Sequence, residues 1–67
     1  MTNIVVHDSQ GNVYNADLVV YRQAQTRYIH ISLVVFDKKG DTKANIILGP
    51  DAVGEIVHGI AEMVKGI

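Results

Sequence analysis

The chain has 67 residues, 48% of them hydrophobic, and six Lys and Arg against seven Asp and Glu give a net charge of −1. That balance argues against a generic duplex-DNA binder, which needs a strongly positive surface. The sequence has no cysteine, which excludes disulfides and thiolate metal sites. A domain of this length buries only about 60% of its unfolded surface, so we predict a single domain over residues 1–67 that is stabilised by self-association.

The N-terminal residues show no basic segment followed by an apolar run of signal-peptide length. The longest clearly apolar stretch, residues 31–36, is much shorter than a membrane span. We therefore expect a cytoplasmic protein without a membrane-spanning segment.

The first predicted element is a hairpin. Residues 4–7 are typical of a short strand, and residues 8–12 have the composition of a turn, in which Gly11 can adopt a positive φ. The return strand is predicted from Val13 to about Gln23, which is long enough to contain a bend or bulge near residues 15–17.

A near-palindrome over residues 21–28 marks the second reversal. A four-residue loop from Gln23 to Thr26 would place Tyr21 opposite Tyr28 and Arg22 opposite Arg27. The same register places one set of aliphatic side chains on one sheet face: Leu18, Val20, Ile29, Ile31, Leu33 and Val35.

Residues 37–41 predict a third reversal, and Thr42 to Leu48 a fourth strand. Pairing Val35 with Ala44 keeps the aliphatic residues together and requires an even-numbered loop. The pattern Val-Val-x-Asp-x-x-Gly occurs at residues 5–11 and again at 34–40. It is either a duplicated hairpin or the ordinary composition of hairpin turns, and the frequency of these residue types in turns favours the second interpretation.

Gly49 and Pro50 end the sheet and begin a helix, predicted from about Asp51 to Lys65. The predicted fold is thus α+β: a four-stranded antiparallel meander followed by one C-terminal helix packed on one face (ββββα). In topology, and at the strand-to-helix junction over residues 48–51, it resembles a type of transcriptional-coactivator domain. That resemblance implies dimerisation through the helix and single-stranded DNA binding on the sheet.

The predicted helix carries two apolar stripes. The first, here called the aliphatic stripe, has the spacing expected of a helix that covers a sheet; it comprises Val53, Ile56, Val57, Ile60, Val64 and Ile67. The second, the small-residue stripe, is predicted to be an oligomer interface because small residues let two helix backbones approach closely; it comprises Ala52, Ile56, Gly59, Met63 and Gly66. Alternatively, the glycines let the helix lie close on its own sheet.

The other sheet face is predicted to carry Val19, Tyr21, Tyr28, His30, Ser32, Val34 and Phe36. Aromatic rings could stack on bases while nearby cations contact phosphates, as in single-strand binders. The candidate binding face comprises Tyr21, Arg22, Arg27, Tyr28, His30, Lys38, Lys39 and Lys43. The alternative is that the tyrosines only stabilise the sheet and the arginines only solubilise hairpin ends.

The sequence shows no catalytic motif. Neither Gly11 nor Gly40 precedes a helix in a phosphate-binding loop, and no serine has the context of an activated nucleophile. The three histidines lie on three different elements; Glu55 and His58 share a helix face and could bind a metal, but more simply form an exposed pair. We expect no catalytic residue, cofactor or metal.

Three functional hypotheses follow. The first is a non-catalytic interaction or regulatory protein, such as a phage- or plasmid-type accessory protein, that acts as a homo-oligomer and binds another macromolecule. The second is a single-stranded nucleic-acid binder that uses Tyr21 and Tyr28. The third is a small-ligand or nucleotide binder whose site lies at the subunit interface.

Overall fold

A computed structural model describes residues 2–66 of the chain. It contains four strands and one helix: β1 (Thr2–His7), β2 (Val13–Arg22), β3 (Ile29–Phe36), β4 (Thr42–Leu48) and α1 (Pro50–Lys65). The strands form one antiparallel sheet in the order β1-β2-β3-β4, and the helix packs on the sheet through its first turn. The predicted ββββα fold is confirmed.

The β1–β2 and β3–β4 loops are built in the same way. In each, an aspartate carboxylate accepts two backbone N–H bonds: Asp8 from residues 10 and 12, and Asp37 from residues 39 and 41, at 2.9–3.0 Å. Gly11 and Gly40 adopt φ values of 86° and 89°, which glycine reaches without steric cost. The repeated sequence pattern therefore corresponds to a repeated five-residue loop.

The β2–β3 register differs from the prediction by two residues. Tyr21 lies opposite His30 and Arg22 opposite Ile29, so the predicted Tyr21–Tyr28 and Arg22–Arg27 pairs are wrong. The reversal is displaced because the Gln23 side-chain oxygen accepts bonds from the Thr26 N–H and hydroxyl, and Arg27 takes a positive φ of 66°. A two-residue shift leaves each side chain on its predicted face.

Val35 lies opposite Ala44, as predicted, but not through an even-numbered loop. The loop has five residues, and a bulge opposite the Val35/Phe36 step adds one residue to β4, which restores the pairing. The predicted bulge near residues 15–17 is wrong, because β2 pairs without interruption on both sides.

The core is centred on one cross-strand pair. Ala16 and Val35 are the buried hydrophobic residues among those described, and they lie directly opposite each other on β2 and β3. Their face, here called the aliphatic face, carries Leu18, Val20, Ile29, Ile31, Leu33, Ala44, Ile46 and Leu48. The opposite, aromatic face carries Val19, Tyr21, His30, Ser32, Val34 and Phe36.

The helix leaves the sheet after its first turn. Ala52 and Val53 are half-buried, whereas every described residue from 54 onwards is exposed; we call residues 54–65 the helical arm. The prediction that Val53, Val57, Ile60 and Val64 cover the sheet is therefore wrong beyond Val53, and Ile67 lies outside the described residues. Only Gly49 separates β4 from α1, so the chain has little length in which to turn the helix back over the strands.

This arrangement makes the chain extended for its size. Its radius of gyration is 14.0 Å and its dimensions are 37 × 37 × 17 Å, whereas a compact chain of this length has a radius of gyration of about 11 Å. The accessible surface is 5423 Å², against about 4,200 Å² for a folded monomer of this mass. The chain thus exposes roughly 1,200 Å² more than a self-contained domain would.

Replacing Asp8 tests the first hairpin loop. The hydrogen bond from the Asn12 side chain, together with those from the backbone N–H groups of Asn12 and Gln10 and from the Tyr14 hydroxyl, outweighs desolvation and lowers the pKa of Asp8. Stabilisation by this carboxylate is therefore present above its unfolded pKa, about 3.9, and is lost as the pH falls through the lower folded pKa.

We accordingly expect Asp8→Ala to lower the thermal midpoint most at neutral pH, and this difference to shrink as the pH falls below about 4. Thermal unfolding followed by circular dichroism at fixed protein concentration measures it. Ser9→Ala, in the same loop, is the control and should show no such trend. If Asp8→Ala lowered the thermal midpoint by the same amount at every pH, the role of the ionised carboxylate would be contradicted.

Candidate functional site

The helical arm presents a row of exposed apolar side chains. Val57, Ile60, Met63 and Val64 are between 59% and 77% exposed, and Ile56 is 43% exposed. Soluble monomers rarely leave a continuous apolar surface in water, and such a surface usually marks an interaction site. Both predicted stripes are therefore open to a partner along most of the helix.

The predicted oligomer interface begins beside the sheet, and most of its residues are exposed to solvent. Ala52 is half-buried in the first turn, Ile56, Gly59 and Met63 are exposed, and Gly66 closes the helix by donating its N–H to the carbonyls of residues 62 and 63. A Cβ atom built at Gly54 or Gly59 would have no neighbour within 4 Å outside the helix backbone. The interpretation that the glycines let the helix lie close on its own sheet is therefore wrong.

The helical arm is polar along one side only. Its remaining ribbon contains Glu55, His58, Glu62 and Lys65, and Lys65 Nζ lies 3.6 Å from Glu62 Oε1. Both side chains of this pair are largely exposed, so the ion pair contributes little to stability. Glu55 and His58 do not converge with a third ligand, since no cluster of three potential metal ligands occurs within residues 2–66.

An aromatic pair lies at the centre of the candidate binding face. The rings of Tyr21 and His30 stack with centroids 5.6 Å apart and an interplanar angle of 27°, and both side chains are half-buried. Tyr28 lies at the adjacent end of the loop and is 61% exposed. Together these rings offer a small platform beside the β2–β3 loop.

Arg22 and Arg27 are brought together at the same loop. Arg22 Nη1 donates to the backbone carbonyl oxygen of Arg27 at 3.1 Å, which holds the Arg22 guanidinium beside the loop. By register, however, Arg22 is on the aliphatic face, opposite Ile29, whereas Tyr21 and His30 are on the aromatic face. Arg22 therefore lies at the end of β2 on the face opposite the platform, and Arg27 belongs to the adjoining loop.

The lysines lie at the other end of the sheet. Lys38 and Lys39 belong to the β3–β4 loop, and Lys43 is the second residue of β4, with its Nζ 5.1 Å from the centroid of the Tyr14 ring. The eight residues of β3 separate the two ends by roughly 25 Å. Between them, Asp17 accepts a bond from the Asn3 amide at 3.3 Å and places a carboxylate on the aromatic face. The predicted binding residues thus form two separate basic groups.

Two contacts of these surfaces were not anticipated from the sequence. The Tyr21–His30 stack depends on the two-residue register shift, which no local composition signals. The Lys43–Tyr14 contact joins β4 to β2 across the end of β3 and depends on the bulge. No pocket is present within the described part of the chain, and no helix there is long and apolar enough to cross a membrane.

Comparison with known protein families, with curated proteins and with solved structures finds no match to this chain. The topological resemblance to a transcriptional-coactivator domain therefore has no support from these comparisons. What the chain does must be argued from its own surfaces.

Arg27 provides a test of the loop that positions the platform. A left-handed conformation costs a non-glycine residue about 1–2 kcal/mol, while glycine loses about 0.5–1 kcal/mol in chain entropy. We expect Arg27→Gly to stabilise the chain by about 0.5 kcal/mol, measured by urea unfolding at fixed protein concentration. Ala24→Gly, in the same loop but without a positive φ, should destabilise it. Destabilisation of similar size by both substitutions would contradict the assigned conformation.

Proposed function

We propose that the chain is a non-catalytic, cytoplasmic interaction protein that self-associates through its helix and uses the assembled surface to bind another macromolecule. A small regulator or accessory protein of phage or plasmid type would fit this description. The observation that carries the proposal is the helical arm, whose apolar residues are mostly more than half exposed in a single chain.

The surface area supports self-association as the first step. A standard protein interface buries about 1,200–2,000 Å² in total, or about 600–1,000 Å² on each partner. The chain exposes roughly 1,200 Å² more than a folded monomer of its mass. One interface of ordinary to large size would remove that excess.

The two mid-helix glycines provide a matched test of close helix packing. Gly54 and Gly59 are equally open within one chain, but five residues separate them, which places them about 140° apart around the helix. In an isolated helix, Gly→Ala at either position should stabilise by about 1 kcal/mol. If the small-residue stripe packs closely against a second chain, only Gly54→Ala should show this gain, and Gly59→Ala should weaken the assembly.

Light scattering after size-exclusion chromatography, together with unfolding at several protein concentrations, measures both effects. Gly59→Glu should shift the wild-type oligomer towards monomer. His58→Glu adds the same negative charge at the adjacent polar position and should leave the oligomer intact. A monomeric wild-type chain at micromolar concentration would overturn the proposal.

The second candidate function is single-stranded nucleic-acid binding at the Tyr21–His30 platform. The specific observation in its favour is the combination of a stacked ring pair, an exposed Tyr28 and two arginines at one loop. Stacking contributes about 1–3 kcal/mol per base in such proteins. The carboxylate of Asp17 and the net charge of −1 limit the contribution from phosphate contacts.

A fluorescent oligonucleotide titrated at several salt concentrations tests this candidate. Removing both arginines with Arg22→Ala and Arg27→Ala should abolish most binding and reduce the magnitude of the salt slope by about 1.4, the value for two phosphates on a single strand. The control pair, Lys38→Ala and Lys39→Ala, removes the same charge from the other end of the sheet. Equal losses from the two pairs would indicate nonspecific attraction, and no binding at low salt would exclude this function.

A further inference from the structure

Exposed apolar side chains lie on the helix and on both sheet faces of each chain, and on the aromatic face they include Val5, Val13 and Ile47. Two of these surfaces are mainly aliphatic. One is the exposed part of the aliphatic stripe, Val57, Ile60 and Val64; the other is the aliphatic face of the sheet, where Val20 is 60% and Ile46 43% exposed. Both surfaces are lined by aliphatic side chains, and in most α+β domains they would cover each other. In this chain they are apart, because the helix leaves the sheet after its first turn.

The connection between β4 and α1 explains why the chain does not join the two surfaces itself. Gly49 is the only residue between Leu48 and Pro50, and its backbone is extended, with φ −79° and ψ −178°. The proline that follows fixes its own φ and begins the helix at once. The helical arm can therefore meet an aliphatic sheet face more easily on another chain than on its own.

Charge also favours a helix-on-sheet contact over a contact between helices alone. Within α1, Asp51, Glu55 and Glu62 oppose Lys65, which gives a net charge of −2; since the whole chain is −1, the remainder is +1. Two helices side by side would bring like net charges together, whereas a helix on a partner's sheet brings opposite ones together. Salt screens exposed charges, so this attraction is modest, but it favours the helix-on-sheet contact.

We infer that two copies exchange their helices, so that the aliphatic stripe of each lies on the aliphatic sheet face of the other. The inference rests on the proposed self-association and specifies its geometry. A two-fold axis makes both contacts at once, and the roughly 1,200 Å² of excess surface on each chain would give an interface of about 2,400 Å², within the range of obligate dimers. The small-residue stripe, which shares Ile56 with the aliphatic stripe, then lies to one side of that contact, about 100° around the helix from Ile60 to Gly59, where it can contact the second helix.

The absence of native cysteine permits a direct cross-linking test. Val20→Cys and Val57→Cys are prepared as separate single variants, unfolded together in urea, refolded as a mixture and then oxidised. A disulfide between the two variants can form only between chains. We expect this mixed product to exceed either self-cross-linked product several-fold by mass spectrometry.

The matched control replaces Val20→Cys with Ile47→Cys. Ile47 is equally exposed and lies at the same end of the sheet, but on the aromatic face, so mixing it with Val57→Cys should give little mixed product. Equal yields from the two mixtures would overturn the exchange. A double variant carrying Val20→Cys and Val57→Cys that forms its disulfide within one chain would also overturn it.

Light scattering on the unmodified chain distinguishes a failure of the helix exchange from a failure of self-association itself. A monomer would overturn both the exchange and the proposed self-association. A dimer that cross-links through Gly59→Cys, but not between Val20→Cys and Val57→Cys, would overturn the exchange and leave self-association intact. A dimer that yields the mixed product supports both.

Discussion

The structure depends on the ladder between β2 and β3, and above all on the pairing of Ala16 with Val35. These two inner strands supply the buried residues of the described chain, and each is flanked by an edge strand. Ala16 is fully buried and Val35 nearly so, so the sheet has a small buried centre at this pair. Because a single sheet layer cannot bury both of its faces, the stability of the whole chain depends on what covers the aliphatic face.

The helix would ordinarily supply that cover, whereas here only Ala52 and Val53 of the residues from 51 to 66 are half-buried. Its apolar residues are arranged as in a sheet-covering helix, yet the short connection at Gly49 directs it away from the strands. The apolar pattern of the helix and its direction away from the strands are both explained if the helix covers a sheet that belongs to another molecule. The same feature explains the radius of gyration of 14.0 Å and the excess surface without invoking a loosely folded chain.

The elements whose geometry depends on local chemistry could be predicted from the sequence. Asp8 and Gly11, like Asp37 and Gly40, identify the first and third reversals because they combine side-chain acceptors with tolerance of positive φ. The helix could be placed because Pro50 and the apolar spacing agree. The Val35–Ala44 pair followed from the need to keep aliphatic residues on one face.

The second reversal and the position of the helix could not be predicted with the same success. The β2–β3 loop has no glycine, and its register depends on Gln23 and on Arg27 in a conformation that its residue type rarely adopts. Helical periodicity indicates which residues share a side, but not which surface meets that side. The oligomer interface and the binding face therefore remain proposals, whereas the strand faces were correctly assigned.

The order of the strands has a kinetic consequence. Each strand pairs with its neighbour in sequence, so all three hairpins form from local contacts, and chains of low contact order fold quickly. The sheet can therefore form within one chain at a rate independent of protein concentration. Burial of the helical arm by another chain would be a second, bimolecular step. During the interval between the two steps, the exposed arm and the open edges of β1 and β4 would be most vulnerable to aggregation and proteolysis.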